Sequence, residues 1–396
     1  MRSRSIISKL SATVVFVWAM AGQATVSAAD TKAGLSNWFE TVAEAERMAE
    51  ADAEAARAKV PAANGGGPVG PAVVPPPPFN LAALQGLIAE RHRLVDRTKL
   101  FVSLTKLAKG QKLTTGEQKK FPADFKAWLT SYVKLRAVVP TNRCDPNLPA
   151  VTNALEAAIG GRQDFGEGRI LAAACHLYGG DFQQADQRLQ EASKFLGEHA
   201  LNVSPPGQDC CFCWLALQKP QAVKGYVETL ENPKKFPPRI MTAYQALLVG
   251  NHGWQTAEFN NAKAFYQLVV SKADVFKNPP GPAVTPLIAD AALFFLAAGN
   301  EVVRDPVRAE KLLDTIVPGQ HAADSWQVRR ARAALKATKA EQAVAAGDSQ
   351  AADVLWQEAV VELTASRSES IPTLDAEIDE QLNAYRERKV WYRKRR

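Results

Sequence analysis

The sequence predicts an all-α protein, an α-solenoid in which antiparallel helix pairs stack side by side into one elongated array. Three observations predict it. From Phe79 onward, apolar residues recur at steps of three and four, the period of a helix with one buried face. After residue 30 no sustained alternation of apolar and polar residues marks a half-buried strand, so no sheet is expected. Prolines and glycines then punctuate the chain at Pro205-Pro206, Pro220, Pro237-Pro238, Pro279-Pro280, Pro306, Pro318 and Gly347. Each interval has room for about one helix or helix pair, which is how a repeat array is written.

A chain of 396 residues, 46% of them hydrophobic, can bury a large core, and global disorder is excluded. Residues 1–29 read as a secretory signal peptide. Arg2, Arg4 and Lys9 precede an apolar stretch from Leu10 to Ala21 that is too short to span a bilayer. The small residues of Ala24-Thr25-Val26-Ser27-Ala28-Ala29 suit cleavage on either side of Ala29. A periplasmic or secreted mature protein is the expectation. Residues 30–60 read as one acidic amphipathic helix, with Leu35, Trp38, Phe39, Val42 and Met48 near helical spacing. Such a helix needs a surface, on the rest of the molecule or on a partner. In residues 61–78 the run Gly65-Gly66-Gly67 and the prolines at 75 to 78 mark a linker, with a polyproline ligand as the other use.

Residues 79–164 begin the array. Leu81, Leu84, Ile88, Val95 and Val102 form one apolar stripe, and Phe125, Trp128, Tyr132 and Leu135 another, so two antiparallel helices are expected to pair. Residues 165–370 carry the repeat. Its second helices share one ladder of offsets: Phe182, Ala185, Leu189 and Ala192; Phe259, Ala262, Tyr266 and Val269; Pro306, Ala309, Leu313 and Ile316; Ser349, Ala352, Trp356 and Ala359. A weaker copy runs through Lys219, Ala222, Tyr226 and Thr229. Steps of three, four and three keep the positions on one helix face, alternating small with large. The alanine admits the neighbouring helix, and the large residue fills the groove beside it. A C-terminal helix with a basic tail, residues 371–396, ends the chain.

These features resemble the tetratricopeptide repeat family, most closely at Ala172-Ala173, Leu177, Gly180-Asp181-Phe182, Ala185, Leu189 and Ala192. The likeness returns at Ala340, Gly347-Asp348, Ala352, Trp356 and Ala359. It covers roughly residues 165–365 and implies a curved superhelix whose concave side binds peptides or other proteins. The marker alanines at 185, 222, 262, 309 and 352 lie 37, 40, 47 and 43 residues apart, longer than the family's unit. Degenerate repeats with long connections are therefore expected. The competing account is an unrelated helical bundle with alanines at its contacts.

The formal net charge is +7, and removal of the leader would leave about +4. The last eleven residues carry seven basic side chains and one acid, so the basic balance reports the tail and no nucleic-acid partner is expected. In that tail Arg388, Lys389, Trp391, Arg393, Lys394, Arg395 and Arg396 are candidate contacts to an anionic envelope surface; a frayed helix end is the alternative. Cysteines stand at 144, 175, 210, 211 and 213. Cys210 and Cys213 are candidates for a disulfide, since an exported chain meets an oxidising environment. They also form the one hint of thiol chemistry, with Asp209 read as a helix cap, and a zinc site would need His199 and Cys175 as further ligands. Gly160-Gly161 with Gly166 and Gly168 lacks the Lys-Ser or Lys-Thr of a phosphate loop and reads as an interhelical turn. Asp375, Glu377, Asp379 and Glu380 read as a solvated face at the start of the last helix. No catalytic residue, cofactor or metal is expected. The sequence therefore points to an exported, non-enzymatic scaffold or adaptor for a protein or peptide partner. Its rivals are an envelope enzyme or a thiol or metal protein using Cys210–Cys213, and a surface binder using the tail.

Overall fold

A computed structural model describes residues 80–109, 111–199, 205–231, 243–271, 285–298, 304–316 and 324–393. The expected leader, acidic helix and linker, and Lys394, Arg395 and Arg396 of the tail, lie outside the described residues. Within them the protein is all-helical, with fifteen α-helices and no strand. A single isolated β-bridge joins Ala298 to Arg393.

The first stripe is two helices rather than one. α1 (Leu81–Thr98) starts at Asn80, whose side chain accepts from the Ala83 amide, and stops at Lys99, which takes a left-handed conformation. α2 (Leu100–Ala108) leaves on a new axis. That break takes Val102 out of the stripe, 54% exposed, while Leu84, Ile88 and Val95 stay buried. α3 (Thr115–Ala137) opens on a capping box between Thr114 and Glu117 and packs on α1, as the two stripes require. α4 (Leu148–Gly160) and α5 (Gly166–Gly179) follow, joined through the glycine turn at Gly160-Gly161. Arg91 of α1, fully buried, forks onto the fully buried Glu167 of α5, which also accepts from Trp128 Nε1 of α3 at 2.9 Å. Three helices are thereby pinned at one carboxylate whose oxygens are satisfied.

Five successive pairs come next. α5 pairs with α6 (Phe182–Glu198), α7 (Pro205–Ala216) with α8 (Pro220–Glu231), and α9 (Ala243–Gln255) with α10 (Phe259–Ser271). α11 (Thr285–Ala297) pairs with α12 (Pro306–Asp314), and α13 (Trp326–Ala345) with α14 (Ser349–Glu369). The first helices α5, α7, α9, α11 and α13 also touch one another in that order, forming one continuous layer. The ladder residues Ala185, Leu189, Ala192, Phe259, Ala262, Tyr266, Ala309, Leu313, Ala352, Trp356 and Ala359 are all buried. Phe182 is not. It is the first residue of α6, at the turn and outside the seam, and is 39% exposed. Glycines on the facing helix serve the same close approach: a Cβ on Gly253 would lie 3.0 Å from the Ala262 backbone nitrogen, and one on Gly250 would lie 2.8 Å from the Tyr266 ring.

Four of the five pairs share a turn. Gly180, Gln218, Ala257 and Gly347 all have positive φ, and each next residue sends its amide back five positions, to His176, Trp214, Gly253 and Ala343 respectively, at 2.8–3.0 Å. This is the left-handed helix ending that satisfies the last carbonyls. After Gly180 and Gly347 the chain restarts on Asp181 and Asp348, whose side chains cap α6 and α14.

The expected elongation is not found. After α14 a 3-10 turn (Pro372–Leu374) contacts α5, and Thr373 hydrogen-bonds with Ala216 and Gln218 at the end of α7. Arg143, in the loop before α4, donates to the carbonyls of Arg367 and Ser368 and pairs with Asp375 at 3.0 Å. The end of the last pair is thus fastened to α5 through the 3-10 turn and to the loop before α4 through Arg143, because one guanidinium has five donors and the end of α14 has carbonyls to fill. α15 (Asp375–Arg386) then packs against α14.

Candidate functional site

The residues singled out in the sequence do not stand where a site would need them. Cys210 and Cys213 are free thiols one turn apart on α7, both buried, and the expected bridge is not formed. Burial pushes the Cys175 and Cys210 thiols up to about 12 and raises Cys211 and Cys213 well above the ordinary thiol range. A thiol so desolvated is a poor nucleophile. Asp209 is not a cap: α7 begins at Pro205, where a missing N–H costs nothing, so Asp209 falls inside the helix. Its carboxylate instead accepts from Tyr132 and pairs with Arg136 of α3 at 3.2 Å. Among the described residues no group of three or more His, Cys, Asp or Glu side chains is placed to hold a metal ion, so His199 and Cys175 do not complete a zinc site.

The tail is also revised. Arg388 and Lys389 are exposed and bridged to Asp353 and Glu387. Trp391 is 4% exposed, and Arg393 turns inward to an ion pair. The cause is Glu377, which the expected solvated face had placed in water. The rest of that face keeps to the surface: Asp379 and Glu380 are exposed and Asp375 partly so, with Asp375 and Asp379 bridged to Arg367.

What the structure brings together is a charged cluster beneath the first-helix layer. α15 turns Glu377, Gln381 and Tyr385 inward at one-turn steps. Arg330 is the one buried arginine of α13, since its neighbours Arg329 and Arg332 fall off the Trp326–Arg330–Ala334 face. It donates to Glu377 Oε1 at 2.6 Å and to Gln381 Oε1 at 2.9 Å, and Gln381 passes the chain on to the Tyr385 hydroxyl at 2.7 Å. Arg393 reaches the other Glu377 oxygen through Nη2 at 2.7 Å and Nε at 3.1 Å. Both cations also lie near aromatic rings, Arg330 5.5 Å from the Trp391 centroid and Arg393 4.9 Å from that of Trp254 in α9. Desolvation pushes the Glu377 carboxyl up, but Arg330 and Arg393 outweigh it and hold the group at about 2.

Asp290 is the only ionisable residue of α11. Burial raises it to about 7 and Glu377 pushes the same way, with Arg330 and Arg393 opposing. No hydrogen bond enters that balance, which is why desolvation prevails. Sequence reasoning missed this cluster. The available signals were one acid in an otherwise apolar helix and an arginine one turn after a buried tryptophan.

Two open grooves lie elsewhere. One, about 350 Å³, is lined by Phe101, Lys106 and His199; the other, about 510 Å³, runs between α13 and α14 past Lys336, Val354 and Val361. Among the described residues no helix is long and apolar enough to cross a membrane. No protein-family model, curated protein or solved structure matches the chain.

Proposed function

We propose that the protein is an exported adaptor without catalytic activity, binding a protein or peptide partner through a TPR-like solenoid of helix pairs. The observation that carries this reading is the layer formed by α5, α7, α9, α11 and α13 in chain order. Five first helices lie side by side, four of them left through the same turn, and bring distant parts of the sequence into one layer. The buried small-large ladder on the second helices supports the likeness to tetratricopeptide repeats. Export rests on the basic and apolar leader. The thiol reading loses support from the raised thiols, and the anionic-surface reading from the inward turn of Trp391 and Arg393.

The test is site-specific photo-crosslinking in cells that make the protein. A photoreactive residue at Glu341 or Val344, exposed on the first helix α13, is expected to capture a discrete protein. The same residue at Asp186 or Asn261, on second helices, is expected to capture none. Equal capture from both sets would defeat the reading.

A further inference from the structure

We propose that residues 390–393 are an intramolecular ligand of the first-helix layer, and that the same face takes in trans an extended segment carrying an aromatic residue and, two positions later, an arginine. This rests on the adaptor reading and names the chemistry of its partner.

The chain leaves α15 through a left-handed residue, Arg388, with the Lys389 amide bonded back to Ala384. It is the same ending that closes the helix pairs, but no further helix follows among the described residues. Instead residues 389–392 are without regular secondary structure and lead to the bridge at Arg393. The Arg393 amide donates to the Ala297 carbonyl at 2.9 Å, the parallel bridge at the end of α11. Backbone pairing to an exposed carbonyl, with side chains set alternately into pockets, is how extended peptides are recognised. The pockets come from far-separated helices: Trp254 of α9, Arg330 of α13 and Glu377 of α15.

The segment follows the last helix and closes no helix pair. Among the described residues the Arg393 amide supplies its backbone link to the end of α11. With the segment removed, Glu377 keeps Arg330 on one oxygen and loses the cation on the other, while Asp290 lies close enough to feel both arginines. The vacated face would hold one cation, Arg330, against two carboxyl groups, over the aromatic floor of Trp254, Tyr266 and Phe294. Such a face selects a guanidinium, which is planar and able to bond a carboxylate and stack on a ring together. A tethered ligand acts at an effective concentration on the order of millimolar, so a weak segment still shields the face until a stronger one displaces it.

The probe is a fluorescein-labelled synthetic peptide of residues 387–396, titrated against the mature full chain and against a chain ending at Glu387. Far-UV circular dichroism confirms that each is folded. The shortened chain is expected to bind the peptide, at least about 100-fold more tightly than the full chain does. An Arg393→Ala peptide is expected to bind it at least 10-fold more weakly. If the shortened chain is folded and binds no peptide, both this inference and the adaptor reading of the face fail. If both chains bind alike, or the Arg393→Ala peptide binds as well as the parent, the inference alone fails. Should the shortened chain not fold, the full chain carrying Arg393→Ala and Trp391→Ser decides: peptide binding there supports the inference, and unchanged exclusion overturns it.

Discussion

Glu377→Gln tests the energetics of the buried cluster most sharply. The carboxylate sits between two guanidiniums, one on each oxygen, with 6% of its side chain exposed. Gln keeps the shape and one acceptor but removes the charge, leaving Arg330 and Arg393 facing each other without a counter-ion. The fall of the Glu377 carboxyl from its ordinary 4.5 to about 2 corresponds to about 3 kcal/mol of interaction that the charged form gains on folding. Breaking buried pairs costs roughly the same, about 3–5 kcal/mol, because the orphaned charge stays desolvated. Because the shift is downward, this stability is fully present above pH 4.5 and is lost as pH falls towards 2. Urea denaturation followed by circular dichroism should therefore show the variant about 3 kcal/mol less stable at pH 7, with the gap constant to about pH 5 and narrowing below it. A second chain bearing Glu377→Gln with Arg330→Met should recover part of the loss, since the two residues share one interaction. A loss under about 1 kcal/mol at pH 7, or one that widens in acid, would refute the reasoning.

Asp290 gives the opposite pH dependence. Its carboxyl is raised from 3.8 to about 7, so its contribution is complete below 3.8 and is lost as pH rises through 7. Asp290→Asn should match the parent near pH 4 and exceed it by a few kcal/mol at pH 8, on the order of 1–4; parallel denaturation curves at the two pH values would contradict this. Ala257→Gly should stabilise by about 1 kcal/mol, because Ala257 holds φ 60° where glycine has no Cβ to strain; a lower melting temperature would count against the shared turn. Native iodoacetamide labelling at pH 8 should modify Cys144, the exposed thiol, and spare the four buried ones. Rapid labelling of Cys210 or Cys213 would reopen the thiol reading. Arg143→Ala should raise hydrogen exchange at residues 366–375, since its side chain ties the end of α14 to the loop before α4; an unchanged pattern would mean the end of α14 holds without it.

The helical class and the ladder were legible because period and residue size are local properties. Ala185, Ala262, Ala309 and Ala352 are buried where the three-and-four spacing put them, whereas Ala222 of the weaker copy is exposed. The shared turn was half legible. Gly180 and Gly347 announce a left-handed residue, whereas Gln218 and Ala257 take the same conformation with no mark in the sequence. The charged cluster was hidden for a different reason. Glu377 and Arg393 are sixteen residues apart across a helix end, and Arg330 joins from another helix, so each looks solvated alone. Seven basic residues in eleven read as a surface tail, and only the turn at Arg388 aims two of its members inward. Closure of the array depends on contacts more than 220 residues apart, from Arg143 to Arg367 and Ser368, which no periodicity encodes.

In the proposed adaptor the first-helix layer meets the partner. Hydrogen exchange of the mature chain, free and saturated with the crosslinked partner, measures this directly. Protection is expected on α9, α11 and α13, with faster exchange at residues 390–393 as the segment leaves its seat. Protection confined to α6, α10 and α14, with residues 390–393 unchanged, would contradict it.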